Sequence, residues 1–299
     1  MNLLFADKTY DYLKSRKVKY SNPMRKEPEK PKYRIITNFR IFPKKPQNYK
    51  LFILEENKTL ELDNKNINYT HGLQIDSDKY CLACHSKTDA FHNSIEKNCE
   101  IYDINGKLLN EFTIGTGIND IQTNSNKELW VSYSDNGIYN SPDNDGTWSH
   151  IERKGLNCFD INGNILYTYD SSPIIDSCDS LNVYSDNEIL INIYTASVES
   201  WFAFAKIKNK KVEKILEWRP YTKLMASLGN LLLVENGNVI SDDIRSKFSL
   251  VDIEKFKYED INYEFFNENN ERLHCVHAQK DNLYFWKNNE LYKFSMEQL

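Results

Sequence analysis

Cys81-Leu82-Ala83-Cys84-His85 has the C-x-x-C-H spacing of covalent haem attachment. The motif overlaps an apolar run that reads as a strand, and successive strand side chains point to opposite faces. Cys81 and Cys84, three apart, then face opposite sides and cannot both reach one cofactor. No second C-x-x-C completes a zinc site, so the expectation is core thiols beside a surface His. His274-Cys275-Val276-His277 fails as a metal pair on the same strand argument. Asp143-Asn144-Asp145-Gly146 opens like a calcium loop, yet Thr147-Trp148-Ser149-His150 follows where the loop should run on to a closing Glu. That stretch reads as a surface loop with Trp148 as an exposed anchor. There is no G-x-S-x-G elbow, P-loop or dinucleotide fingerprint.

The elements that carry these residues repeat along the chain. A turn followed by an apolar strand appears at Gln47 to Leu54, and again at Asp78 to Ala83 and Asn126 to Val131. It returns at Asp186 to Ile191, Gly229 to Val234 and Asp281 to Trp286. A second element, two apolar runs around Asn-Gly, follows most copies. It is clearest at Ile101 to Leu109 and Cys158 to Leu166, and Asn-Gly between apolar runs is the strongest short hairpin signal. Together they predict four strands per unit. A lone unit cannot bury both faces of its sheet, whereas units stacked around an axis can. The expected fold is all-β, a single β-propeller of about six four-stranded blades over residues 33–299, with Tyr33 to Phe39 as the closing strand. Residues 1–32 are expected to form a basic arm or linker with a short helix over Ala6 to Arg16. The Pro- and Lys-rich stretch from Asn22 to Lys32 has too few apolar residues to pack.

Aligning the repeats on their turns places one set of polar residues just upstream of each innermost strand, where they should ring one mouth of the central channel. These are His71, Asn119 with Asp120, Asp179 with Ser180, Tyr221 with Thr222, and His274. Polar groups converging on a concave mouth define a default binding site. The run Ile118-Asn119-Asp120-Ile121, followed by Asn126 to Tyr133 and Asn136-Gly137-Ile138-Tyr139, resembles the repeat of regulator-type β-propellers in bacterial sensors. The wider stretch from Cys99 to Tyr194 is similar to a group of uncharacterised bacterial propeller proteins. Both resemblances imply the fold and no particular activity. Asn119-Asp120 followed by Leu129-Trp130 also resembles the six-bladed gluconolactonase family, where Asn, Asp and Glu hold a calcium or zinc ion at the mouth. That likeness implies a metal on Asn119 and Asp179 and a base at Asp120 or His274, although no Glu stands in the third place.

Composition agrees with a β body: 19 Tyr and 15 Phe favour strands, and Asn takes many turn positions in a chain with only 10 Gly. The net charge is −5, but residues 1–50 carry 14 Lys/Arg against 4 Asp/Glu, so +10, leaving −15 for the remainder. The basic residues are dispersed without interleaved stacking aromatics, which argues against nucleic acid. No apolar run approaches a membrane span, and the start lacks a signal-peptide pattern. The expectation is a cytoplasmic protein with reduced cysteines. The expected function is a non-catalytic recognition scaffold that binds a protein partner or small ligand on one propeller face. Trp130, Tyr133, Tyr139 and Trp148 are the aromatic contacts, and no cofactor is needed. The alternative is a calcium- or zinc-dependent hydrolase or lyase at the mouth.

Overall fold

The computed structural model describes residues 2–6, 47–53, 58–65, 71–84, 88–89, 94–95, 97–139, 151–199, 201–218, 221–237, 247–255, 257–261, 265–287 and 290–299. The chain divides into two compact units: Met1–His85 with Asn98–Glu111, and Ser86–Lys97 with Phe112–Leu299.

The first unit opens with a three-stranded antiparallel sheet of β1 (Asn2–Ala6), β2 (Gln47–Ile53) and β3 (Lys58–Lys65). Strand β1 falls within the stretch expected to be an arm. The expected helix up to Arg16 and the closing strand Tyr33 to Phe39 lie outside the described residues. A four-stranded sheet follows, built from β4 (His71–Asp76) and β5 (Lys79–Ala83). The small ladder β6 (Thr88–Asp89) and β7 (Ser94–Ile95) comes next in the chain but belongs to the second unit, and then β8 (Cys99–Asp103) and β9 (Leu108–Phe112) complete the sheet in the order β4-β5-β8-β9.

The second unit contains the regular meanders. One sheet comprises β10 (Ile118–Thr123), β11 (Leu129–Tyr133), β12 (Leu156–Phe159) and β13 (Ile165–Thr168). The next comprises β14 (Ser177–Val183), β15 (Glu188–Tyr194), β16 (Phe202–Lys208) and β17 (Lys211–Trp218). Then come β18 (Tyr221–Leu228), β19 (Leu231–Gly237), β20 (Lys247–Asp252) and β21 (Lys257–Ile261). The last sheet is three-stranded: β22 (His274–Gln279), β23 (Asn282–Lys287) and β24 (Glu290–Ser295). The one described α-helix, α1, spans Asp135–Tyr139.

Among the described residues the fold is all-β, a β-propeller with four-stranded sheets that shows five blades rather than about six. The unit expected around Gln47 is the exception. Its described sheet has three strands, and β1 and β2 pair across the long stretch 7–46.

The Asn-Gly signal marks real hairpins, although the turn is larger than two residues. Asp103 Oδ1 accepts from the Asn105 and Lys107 amides at 2.8 and 2.9 Å, and Gly106 takes φ +81°. Asp160 repeats this with Asn162 and Asn164 at 2.8 and 2.9 Å, and Gly163 has φ +88°. Each is a turn closed by an aspartate and ended by a left-handed glycine, the usual form of a longer hairpin loop. Stacked apolar faces supply the core. One cluster joins Ala226, Leu233, Phe248, Cys275, Leu283 and Phe285 from the last two sheets. A second joins Leu190 and Phe204 of the β14–β17 sheet to Met225, Leu232 and Val251 of the β18–β21 sheet.

Candidate functional site

The innermost strands of the second unit, β10, β14, β18 and β22, pack side by side in chain order. All four bulge near their start. The ladder skips Asn119 between the pairs Ile118↔Tyr133 and Asp120↔Ser132, and skips Asp179 between Cys178↔Ile193 and Ser180↔Asn192. Lys223 and Val276 are the corresponding residues in β18 and β22. A bulge leaves one residue out of the ladder and re-aims the strand locally.

This register sorts the residues expected at the mouth. Asn119 and Asp179 are the bulged residues themselves, and Asp120 and Ser180 come directly after them. Tyr221, Thr222 and His274 lie before the bulges of their strands, one or two positions out of step. His277, not His274, occupies the rank of Asp120 and Ser180. His277 is half-buried against Tyr284, with ring centres 6.1 Å apart. Thr222 is fully buried, and the side chains of Tyr221 and His274 lie outside what is described. His71 opens β4 in the first unit.

The bulged end is acidic and half-buried. Asp120 accepts from the Ile121 amide at 2.8 Å and from the Gln122 carboxamide at 2.9 Å. Burial outweighs both bonds and lifts its carboxyl to about 7. Asp179 accepts from the Ser177 hydroxyl at 2.5 Å, and burial, aided by the Asp135 charge, lifts it to about 6. Cys178 is fully buried, and its thiol is pushed well up by desolvation and by the charges of Asp179 and Asp120. Asn119 spends its amide on the Cys178 carbonyl at 2.9 Å, tying β10 to β14.

Beneath this end lies a feature the sequence reading missed. Gln122, 2% exposed, donates to the carbonyls of Leu181 at 2.7 Å and Ala278 at 3.2 Å, and accepts from the Val183 amide at 3.0 Å. One side chain thus ties β10 to β14 and β22. Asn182 donates to the Met225 carbonyl at 3.1 Å and the Lys280 carbonyl at 2.8 Å, and accepts from the Lys280 amide at 2.8 Å. The detectable signal was a polar residue alternating with apolar ones at the same place in successive innermost strands.

Among the described residues no group of three or more His, Cys, Asp or Glu is placed to hold a metal. The Asp143 loop, Trp148 and His85 lie outside the described residues. Cys81 and Cys84 are both buried, and the thiol facing Cys81 is Cys99, with the sulfurs 3.3 Å apart. Burial, with the Cys81 contact added, raises the Cys99 thiol well above its ordinary value.

Two of the expected aromatic contacts are corrected. Trp130 and Tyr133 are fully buried, because β11 is covered on both faces. Trp130 packs on Tyr167 with ring centres 5.4 Å apart, and the Tyr133 hydroxyl donates to the Ile114 carbonyl at 2.5 Å. Tyr139 is 62% exposed, and its hydroxyl donates to Asp176, which pushes that phenol up to about 12. Trp201, not expected as a contact, is 52% exposed and stacks on Tyr194 at 5.9 Å. Its φ of +66° is unusual for a bulky side chain. Bonds from its amide to the Val198 carbonyl at 3.2 Å, and from the Thr195 amide to its own carbonyl at 2.9 Å, hold that turn. The Asp176 amide donates to the Tyr194 carbonyl at 2.9 Å, and Asp176 Oδ2 accepts from the Ala196 amide at 2.7 Å. Tyr139, Asp176, Tyr194 and Trp201 therefore form one surface, next to the strand that bulges at Asp179.

No protein-family model matches the chain, and no curated protein matches its sequence. Among solved structures, it is similar to a Bacteroides caccae protein of unknown function, with 11% identity over 75% of each chain and a TM-score of 0.41. It is similar to Saccharomyces cerevisiae Sqt1, with 8% identity over 84% of this chain and 67% of that one and a TM-score of 0.45. An uncharacterized Listeria monocytogenes protein shares 11% identity over 85% and 77% of the two chains, with a TM-score of 0.43.

Proposed function

We propose that the chain is a non-catalytic recognition scaffold that binds a protein partner at the bulged end of the second unit. The observation that carries this reading is the pair of exposed aromatics, Tyr139 and Trp201, each fixed by its neighbours beside the bulged residue Asp179. Rigid aromatics on a firm base are the groups that dominate protein interfaces. The Gln122 and Asn182 bonds supply the base. A cytoplasmic location goes with this reading, supported by six cysteines that are all buried thiols outside any disulfide. Among the described residues no helix is long and apolar enough to cross a membrane.

The test is a photo-crosslinking residue, p-benzoylphenylalanine, placed at Tyr139 in the native host. A discrete crosslinked protein from position 139, absent when the probe is placed at exposed Ile165, supports the scaffold. Equal labelling from both positions refutes it.

A second reading is favoured by Asp120 alone, whose carboxyl near 7 suits a general base. It requires calcium or zinc on Asn119 and Asp179. Calorimetric titration with either ion decides it, since no heat of binding at millimolar metal removes the hydrolase.

A further inference from the structure

We infer that the surface formed by Tyr139, Asp176, Tyr194 and Trp201 is a docking site for a basic, arginine-bearing polypeptide segment. The inference rests on the recognition-scaffold reading and names its partner class.

The first argument is charge. Several acids elsewhere on the described surface pair with lysines: Glu128 with Lys210, Asp170 with Lys154, Glu188 with Lys206, Asp252 with Lys255 and Glu254 with Lys214. Others, such as Asp103 and Asp160, are single acids that close turns by accepting from amides. Here three acids lie together with no lysine among their described partners. Asp176 accepts from the Tyr139 hydroxyl and the Ala196 amide, Asp179 from the Ser177 hydroxyl, and Asp135 from the amide groups of Asn136. All of these donors are neutral, so the negative charges stay uncompensated among the described residues. The three acids are close enough to act together, since the Asp135 charge bears on both Asp179 and Tyr139. Such a patch attracts cations.

The second argument is the aromatic pair. Trp201 lies nearly parallel to Tyr194, at an interplanar angle of 21°, and over half of it is open to solvent. A flat, exposed indole beside carboxylates suits a guanidinium, which stacks on the ring while donating to the acids. The patch spans α1, the segment before β14 and the β15–β16 turn, a breadth that fits several residues of a peptide.

The experiment measures fluorescence anisotropy of a short fluorescein-labelled peptide of alternating arginine and glycine against the full chain at physiological ionic strength. A matched glutamate peptide is the control. The expected result is saturable binding of the arginine peptide only, weakened about 5-fold or more by Trp201→Ala and by Asp176→Asn. Trp201→Tyr, which keeps a ring, retains most of the affinity, and Ile165→Ala leaves it unchanged. Asp179→Asn provides a second charge variant should Asp176→Asn loosen α1. Equal binding by Trp201→Ala and the parent overturns the inference, because the attraction is then non-specific. No binding of the arginine peptide, with a protein still crosslinked from position 139, overturns the basic partner while leaving the scaffold intact. Failure of both assays removes both readings.

Discussion

Gln122 and Asn182 occupy the same position, three residues past the bulge, on consecutive innermost strands, and each uses its carboxamide to bond backbone of the strands beyond. The equivalence follows from the bulges, which set the register of both strands. The carboxamide of Gln122 has two N–H groups and three acceptors within reach: Asp120, Leu181 and Ala278. Replacing it with an isosteric apolar group strands the buried Val183 amide and two carbonyls. Gln122→Met is expected to cost roughly 3 kcal/mol, read from urea unfolding. A change below about 1 kcal/mol would mean that these bonds do not hold the strands.

The acidic end makes stability depend on pH. Asp120 and Asp179 are lifted to about 7 and about 6, so the folded chain holds protons that the unfolded chain has released. The stability these groups contribute is full below about pH 4 and is lost as pH rises through 6 and 7. Exposed acids such as Asp160 and Asp252 are lowered and act in the opposite sense on acidification. The informative quantity is therefore the difference between variant and parent. Asp120→Asn should raise the melting temperature by on the order of 5 °C at pH 8 and by much less at pH 4. The Leu181 and Ala278 carbonyls still accept from Gln122. A pH-independent difference contradicts the assignment.

Gly137 seats the helix that displays Tyr139. A Cβ there would stand 2.3 Å from the Thr116 carbonyl oxygen and 3.1 Å from the Gly117 Cα, both of them backbone. Neither can swing aside, so Gly137→Ala must displace α1. The expected penalty is about 1–3 kcal/mol, together with loss of crosslinking from position 139. Normal stability and crosslinking would show that the helix has room to move.

Trp201 offers a variant that separates display from folding. Left-handed backbone costs an ordinary residue about 1–2 kcal/mol, which Trp201→Gly relieves. Against this stand the lost stack on Tyr194 and the greater freedom of glycine in the unfolded chain, about 0.5–1 kcal/mol each. Stability should stay within about 1 kcal/mol of the parent while peptide affinity disappears. Strong destabilisation would identify the indole as a structural wedge.

The cysteines give a simple chemical check. All six are buried, and desolvation raises Cys99 and Cys178 well above their ordinary value and Cys158 to about 12. Thiol reagents need the thiolate and access to it. Ellman's reagent at pH 8 should label none quickly in the native protein and all six in denaturant. Rapid labelling of Cys81 or Cys84 would revive a reactive C-x-x-C.

The four-stranded unit and its turns were legible in the sequence because they are local. Asp-Ile-Asn-Gly at 103–106 and 160–163 states its own hairpin. What the sequence hid depends on pairing. Whether Asn119 or Asp179 bulges is decided jointly with β11 and β15, so repeat alignment on turns mixed two ranks and drew in His274 in place of His277. The burial of Trp130 and Tyr133 follows from β11 being covered on both faces, and Leu129-Trp130-Val131-Ser132-Tyr133 is the nearly unbroken apolar run such a strand shows. The contact of Cys81 with Cys99 arises from the pairing of β5 with β8, which the inserted β6 and β7 separate in the sequence.

The bulges also separate what the molecule shows from what holds it up. Asn119, Asp179, Lys223 and Val276 differ in charge, size and polarity, yet each occupies the same skipped slot in the ladder of its strand. A residue outside the ladder can change without unzipping its neighbours. Substitutions at Asp179, Lys223 and Val276 would rewrite the chemistry of this end while the ladders stay paired, and Asn119 alone of the four also ties β10 to β14. The second unit is in that sense a socket with interchangeable contacts, open to drift in nature and to reprogramming at the bench.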